Sequence, residues 1–128
     1  MRLSQSAVAA LALLVAAVPA LATPAEYGRT MVELATQSGC LACHTLVPAP
    51  PRADGLPPIA PAWRDVAIKY RDDPLAAERL TRTVMTGSNP KARHWTGKVG
   101  EVAMPPNANV VSEADARALV NWILVLVP

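Results

Sequence analysis

Apolar residues recur three and four positions apart in four stretches of the chain, which is the spacing of one face of an α-helix. These stretches are residues 24–37, 62–70, 73–87 and 112–127. No stretch alternates apolar and polar residues as a half-buried strand does. Residues 45–60 and 88–111 are rich in proline, glycine and asparagine and predict loops. The hydrophobic pattern therefore predicts an all-α fold with four helices.

Start signals support the first and the last of these helices. Thr23 and Glu26 have the spacing of a capping box, and Pro24 suits the first helical position. Ser112 and Asp115 repeat this type of start signal before the last helix. The two pairs predict where both helices begin.

The composition favours one small domain with few aromatic rings of its own. The chain has 128 residues, with three tryptophans, two tyrosines and no phenylalanine. A chain of this length forms a single domain. The formal net charge is +2, which is too small to indicate a protein that binds nucleic acid.

Residues 1–22 have the pattern of a secretory signal peptide. Arg2 is the positive start, residues 7–18 are apolar, and residues 20–22 form a small-x-small cleavage site. The apolar stretch is shorter than the ~20 residues that a spanning helix needs, although an uncleaved membrane anchor is the alternative. We therefore predict export to the periplasm, no membrane span after cleavage, and a mature domain of residues 23–128.

Cys40, Cys43 and His44 have the spacing C-x-x-C-H, which is typical of covalent haem attachment. Each thiol can add across one vinyl group of a single porphyrin, and the histidine can then supply an axial nitrogen to the iron. The alternatives are a zinc site and a redox dithiol. Zinc would need four ligands, and the distant His94 is the one further Cys or His in the chain beyond the motif. A redox C-x-x-C would follow a strand, whereas a helix is predicted before Cys40.

If haem is attached, the residue opposite His44 decides the function, because a thioether there raises the reduction potential, whereas an open position permits ligand binding or peroxide chemistry. The candidates are Met31, Met85, Met104 and His94. Met31 and Met85 fall on helix faces, where core packing is the usual role of methionine. Met104 lies on a predicted loop, and the two prolines after it restrict the backbone. We therefore predict Met104 as the ligand, with His94 or an open position as alternatives.

Four segments resemble the bacterial class I cytochromes c of the short monohaem type. They are Gly39–His44, Ile59–Tyr70, Met104–Asn107 and Asp115–Leu126, in the order that the family has. The resemblance implies one domain in which about four helices surround a single haem c, attached through Cys40 and Cys43. It also implies a carrier of single electrons rather than an enzyme.

The resemblance further implies roles for individual residues. His44 would be the proximal ligand, and its other ring nitrogen would donate a hydrogen bond to the carbonyl of Pro61. Met104 would be the distal ligand, and Asn107 would form a hydrogen bond near its sulfur. The indole N–H of Trp95 would reach a haem propionate.

One aromatic position departs from the family pattern. Ala35 stands near the end of the first helix, where the family usually has an aromatic residue. Trp122 is therefore expected to lack its usual ring partner, and Tyr27 or Met31 is expected to fill the space.

Two long loops also separate this chain from short family members: a proline-rich insertion at residues 47–58 and a lengthened segment at residues 88–102. The predicted partners are redox proteins, with a dehydrogenase or reductase as donor and an oxidase or reductase as acceptor. One alternative function is a haem enzyme or gas sensor with an open sixth position. Another is a dedicated cytochrome subunit of a periplasmic dehydrogenase that docks through the insertion.

Residues 79–98 contain basic side chains and no acidic one. The basic residues are Arg79, Arg82, Lys91, Arg93 and Lys98. They predict either a basic rim that steers docking onto an acidic partner or an ordinary solvated surface.

Overall fold

The computed structural model describes residues 21–50 and 52–126, and within these ranges helices are the regular secondary structure, with no strand. The helices are α1 (Pro24–Gln37), α2 (Trp63–Lys69), α3 (Ala76–Thr86) and α4 (Glu113–Leu124), with a 3-10 turn at Cys40–Ala42. The prediction of an all-α fold with four helices is confirmed. The predicted signal peptide falls almost wholly outside the described residues. The last helix was predicted to end near Val127, but α4 ends at Leu124 and Val125 already caps it, so that predicted end was wrong. No helix in the described ranges combines the length and apolar content needed to cross a membrane.

Side-chain caps begin α1 and α4 where the sequence signals predict. The Thr23 hydroxyl accepts a hydrogen bond from the backbone N–H of Glu26 at 3.2 Å, and the Glu26 carboxylate accepts one from the backbone N–H of Thr23 at 2.7 Å. The Ser112 hydroxyl accepts a hydrogen bond from the backbone N–H of Asp115 at 3.1 Å. Each cap of this kind stabilises a helix by about 0.5–2 kcal/mol.

Helix α3 begins later than the predicted start at Asp73 and Pro74, so that prediction was wrong. The Asp73 carboxylate accepts a hydrogen bond from the backbone N–H of Leu75 at 2.9 Å, and the Asp73 carbonyl accepts one from Ala76 at 3.1 Å. Asp73 therefore closes a separate turn before the helix, which is a common alternative use of an aspartate side chain.

Helix α4 is central to the fold because it packs against α1, α2 and α3. Trp63 of α2 and Trp122 of α4 meet edge to face, with ring centroids 5.9 Å apart and ring planes at 84°. Met31 packs in the same cluster and Ala35 is fully buried, whereas Tyr27 is 42% exposed. Of the two residues expected to fill the space beside Trp122, Met31 therefore does so, and Trp63 supplies a ring partner that the sequence did not reveal.

Hydrogen bonds join the two long loops to each other. The backbone N–H of Gly100 donates to the carbonyl of Pro58 at 2.8 Å, and the guanidinium of Arg93 donates to the carbonyl of Gly100 at 2.7 Å. Residues of both loops line a cavity beside α2. The insertion and the lengthened segment therefore form one connected surface rather than two separate arms.

Candidate functional site

The C-x-x-C-H motif lies directly after α1. Gly39 has a left-handed backbone conformation (φ 74°) that leads the chain out of this helix and into the 3-10 turn. The carbonyl of Cys40 accepts hydrogen bonds from the backbone N–H groups of Cys43 at 3.3 Å and His44 at 3.1 Å. Both thiols are free; Cys40 is half-buried, which raises its pKa, and Cys43 is exposed. One compact turn therefore presents two sulfurs and an imidazole.

The imidazole of His44 is oriented by a backbone carbonyl. Its Nδ1 lies 2.8 Å from the carbonyl oxygen of Pro61. Because a carbonyl only accepts hydrogen bonds, Nδ1 carries the proton and Nε2 of the neutral ring keeps its lone pair. Burial lowers the pKa of His44, while the hydrogen bond to Pro61 acts in the opposite direction. Nε2 is therefore available as a metal ligand.

Met104 lies on a loop that hydrogen bonds attach to α3 and to the residues just after it. Its backbone N–H donates to the Ser88 hydroxyl at 2.9 Å, and its carbonyl accepts from the backbone N–H of Ser88, also at 2.9 Å. The side-chain amide of Asn107 donates to the carbonyls of Val84 at 3.1 Å and Pro105 at 2.7 Å. The described hydrogen bonds of Asn107 therefore go to backbone carbonyls and include none to the Met104 sulfur.

The other candidates for the sixth ligand are engaged elsewhere. Met31 packs in the hydrophobic core. Met85 lines a groove between α3 and α4, beside charged side chains that include Arg117. His94 is exposed, and its Nδ1 lies 2.7 Å from the hydroxyl of Tyr70. Each of these three side chains therefore has packing or hydrogen bonding of its own.

Trp95 is half-buried against the core cluster and lines the cavity of about 450 Å³ that lies beside α2. The ammonium nitrogen of Lys69 lies 5.1 Å from the centroid of its ring, which is a cation–π arrangement. Within residues 21–50 and 52–126, the indole N–H of Trp95 has no hydrogen-bond acceptor. Lys98 lines the same cavity as Lys69 and Trp95.

Ion pairs neutralise much of the basic stretch at residues 79–98. The pairs are Arg79–Asp73, Arg82–Glu78 and Arg93–Glu101. In the part of the chain that the structure describes, Lys91 and Lys98 form no such pair. The predicted basic rim is thus reduced to these two lysines. Lys69 of α2 lines the same cavity as Lys98.

The chain is similar over most of its length to proteins of known class. It is 44% identical over 93 residues to cytochrome c-551 of Allochromatium vinosum, covering 73% of this chain and 82% of that protein. It is 37% identical over 102 residues to cytochrome c-552 of Nitrosomonas europaea, covering 80% and 84% of the two chains. The chain belongs to the class I monohaem cytochromes c. No family model matches the sequence.

A solved structure agrees with this assignment. The crystal structure of wild-type Nitrosomonas europaea cytochrome c552 has a TM-score of 0.57 and 37% identity to this chain, and covers 73% of this chain and 96% of that one. As a class I cytochrome c, the chain carries one covalent haem c, transfers electrons and acts with redox partner proteins.

The residues of the site fit a covalently attached haem. The two cysteine sulfurs stand at C-x-x-C-H spacing and form no disulfide, and the histidine after them has its Nδ1 proton committed to Pro61. A neutral imidazole with a free Nε2 and a loop thioether are the donor types that bind haem iron in c-type cytochromes.

Sequence reasoning missed the part of Ser88 in the site. Its hydroxyl and its backbone N–H both bond to Met104, yet the two residues lie far apart in the sequence. The available signal was Gly87-Ser88 directly after a predicted helix, which indicates a close turn but does not identify its partner.

Proposed function

We propose that this protein is a periplasmic carrier of single electrons whose haem iron has one histidine and one methionine ligand. Residues 1–22 would direct export and be removed, which leaves residues 23–128 as the mature domain. The motif and the export signal support each other, because c-type haem is attached outside the cytoplasmic membrane in bacteria. The partners would be a dehydrogenase or reductase as donor and an oxidase or reductase as acceptor.

The proposal depends above all on the 2.8 Å distance between Nδ1 of His44 and the carbonyl of Pro61. The side chains that would hold the haem are Cys40, Cys43, His44 and Met104. The bound haem supplies a one-electron Fe(III)/Fe(II) couple. The hydrogen bond from His44 to Pro61 fixes the tautomer and the ring plane, and raises the basicity of Nε2.

Met104 is supported as the second ligand because Met31 packs in the core, Met85 lines a groove beside charged side chains, and His94 is hydrogen-bonded to Tyr70. A thioether favours Fe(II) and therefore raises the reduction potential. Because His44 and Met104 would both hold the iron in either oxidation state, little would rearrange on electron transfer and no iron position would be open to a substrate. This supports a carrier rather than an enzyme.

Two further residues would act at the edge of the haem site. Trp95 would donate its indole N–H to a propionate, which the nearby ammonium of Lys69 favours by its charge. Asn107 would hold the Met104 loop, since its amide donors reach the carbonyls of Val84 and Pro105.

The visible spectrum of the oxidised holoprotein tests the ligation. We expect the far-red charge-transfer band of methionine-ligated Fe(III). Met104→Ala should abolish this band, and the matched control Met85→Ala should keep it. The reverse result would show that the ligand assignment is wrong.

The alternative functions predict different measurements. High-spin iron in the wild-type protein, or ready binding of CO by its reduced form, would indicate an open sixth position and thus a sensor or enzyme. Gel filtration of the native protein would separate a free carrier from a subunit held in a dehydrogenase complex.

A further inference from the structure

Ser88 and Met104 are joined by hydrogen bonds in both directions. The Ser88 hydroxyl accepts from the backbone N–H of Met104, and the backbone N–H of Ser88 donates to the carbonyl of Met104, each at 2.9 Å. Both polar groups of the Met104 backbone are therefore satisfied by one residue. Such a two-point attachment restricts rotation of the peptide units on both sides of Met104.

Gly87 allows the Met104 loop to approach this closely. A Cβ atom at Gly87 would lie 2.9 Å from the carbonyl oxygen of Met104 and 3.0 Å from the backbone nitrogen of Pro106. A carbon atom this close to a backbone oxygen and a backbone nitrogen overlaps them sterically, so the loop would have to move. Gly87 also has φ at +83°, a conformation that other residues rarely adopt. Any larger residue there would displace the loop.

Asn107 attaches the other end of the same loop. Its backbone N–H and its side-chain amide both donate to the carbonyl of Val84 at 3.1 Å. Val84 lies in the last turn of α3, directly before Gly87 and Ser88. The Met104 loop is therefore held on both sides of the methionine by one end of one helix.

We propose that Ser88 is a positioning residue for the axial ligand Met104, and that Gly87 provides the clearance that this contact needs. The inference depends on the proposed ligation by Met104. Fixing the backbone on both sides of the methionine confines its sulfur, so that the ligand returns to the iron before another molecule replaces it. The effect should be largest in the oxidised protein, because a thioether binds Fe(III) more weakly than it binds Fe(II).

The test is the rate at which imidazole replaces the methionine in the oxidised holoprotein, followed through loss of the far-red band. Ser88→Ala removes one hydrogen bond whose net contribution is typically 0.5–1.5 kcal/mol, so the replacement should accelerate about 2- to 12-fold. Ser88→Thr keeps the hydroxyl and should restore a rate near that of the wild type. The matched control is Thr86→Ala, since that hydroxyl donates to the carbonyl of Arg82 within α3 and, among the described hydrogen bonds, makes none to Met104.

Urea unfolding of the same proteins separates positioning from general stability. In Thr86→Ala we expect imidazole to replace the methionine at the wild-type rate. This should hold even if the urea midpoint of unfolding falls as far in Thr86→Ala as it does in Ser88→Ala. Equal acceleration in both variants, or a wild-type rate in Ser88→Ala, would overturn the proposal. If Ser88→Ala does not take up haem, Gly87→Ala probes the same positioning by steric displacement, and a wild-type rate in that variant would overturn it.

Failure of the ligation and failure of the positioning give different results. If Met104→Ala keeps the far-red band, the proposed ligation is wrong and the inference ends with it. If Met104→Ala loses the band while Ser88→Ala behaves as the wild type, the ligation stands and only the role of Ser88 is wrong.

Discussion

The two sides of the proposed iron site are held by different means. His44 directly follows Cys43, so its backbone would be anchored by a covalent bond to the haem, and one hydrogen bond to Pro61 then orients its ring. Met104 has no covalent anchor and depends on hydrogen bonds to Ser88 and on the attachment of Asn107 to α3. The histidine side therefore relies on a covalent anchor and one orienting hydrogen bond, whereas the methionine side relies on several hydrogen bonds.

Removing the two ligands in turn gives the largest contrast. We expect His44→Ala to yield little or no holoprotein, because the axial nitrogen next to the attachment site is lost. Met104→Ala should yield holoprotein that binds CO when reduced. The yield of covalent haem and the CO spectrum measure the difference. Equal haem yields from the two variants would show that His44 is no more important for haem attachment than Met104.

Trp63→Ala should have the next largest effect, a loss of unfolding free energy on the histidine side of the site. Trp63 is 4% exposed, and its ring centroid lies 5.8 Å from that of His44 and 5.9 Å from that of Trp122. Loss of such a buried ring costs about 3–5 kcal/mol of unfolding free energy, measurable by urea denaturation. The exposed Tyr27→Ala is the control and should change the free energy of unfolding much less. A small loss in Trp63→Ala would mean that the core beneath His44 can close over the cavity.

Asn107→Ala should have an intermediate effect, confined to the methionine side. It removes hydrogen bonds to the carbonyls of Val84 and Pro105, for a cost of about 1–2 kcal/mol in unfolding free energy. Because the described bonds go to carbonyls, we expect the wavelength of the far-red band to remain unchanged. A shifted band would instead indicate contact between the amide and the sulfur. The exposed Asn109→Ala serves as the matched control.

Lys69→Met should have the smallest effect, because it acts on neither ligand. The ammonium group lies 5.1 Å from the ring centroid of Trp95 on the surface, and an exposed cation–π contact contributes about 0.5–1 kcal/mol. In thermal unfolding, the melting temperature of Lys69→Met should be slightly lower than that of the control Lys91→Met. The rate at which imidazole replaces the methionine should stay at the wild-type value, and a faster rate would link this surface to the ligand loop.

Local signals allowed much of the fold to be predicted from the sequence. The caps at Thr23 and Ser112 mark helix starts because the partners of their hydroxyls lie three residues away. Asp73 shows the limit of such signals, since the same side chain can cap a helix or close a turn, and here it closes a turn. The hydrogen bond between His44 and Pro61 was expected only through the resemblance to a family, not from spacing.

Contacts between distant segments were beyond the reach of the sequence. The pairing of Trp63 with Trp122, and that of Ser88 with Met104, depends on how α2, α3 and α4 pack. The carboxylate partners of the arginines in residues 79–98 all lie outside that stretch, at Asp73, Glu78 and Glu101. The pair of Arg82 with Glu78 has the i,i+4 spacing of a helix and is a local signal, which residues 79–98 taken alone do not show. The pairings of Trp63 with Trp122 and of Ser88 with Met104 are set by tertiary packing, for which no local pattern in the chain supplies a signal.

The hydrogen bond that orients the His44 ring also closes a loop, since Pro61 lies 17 residues further along the chain. The entropy of closing a flexible loop changes slowly with its length, by about 0.6 kcal/mol for each doubling. Residues 47–57 lie inside this loop and precede Pro58, whose carbonyl bonds to Gly100. A foreign peptide could therefore be grafted within residues 48–57 while the imidazole keeps its orientation, because Thr45 and Leu46 stay bonded to the start of α2. This makes the segment a site for attaching the protein to an electrode or a label.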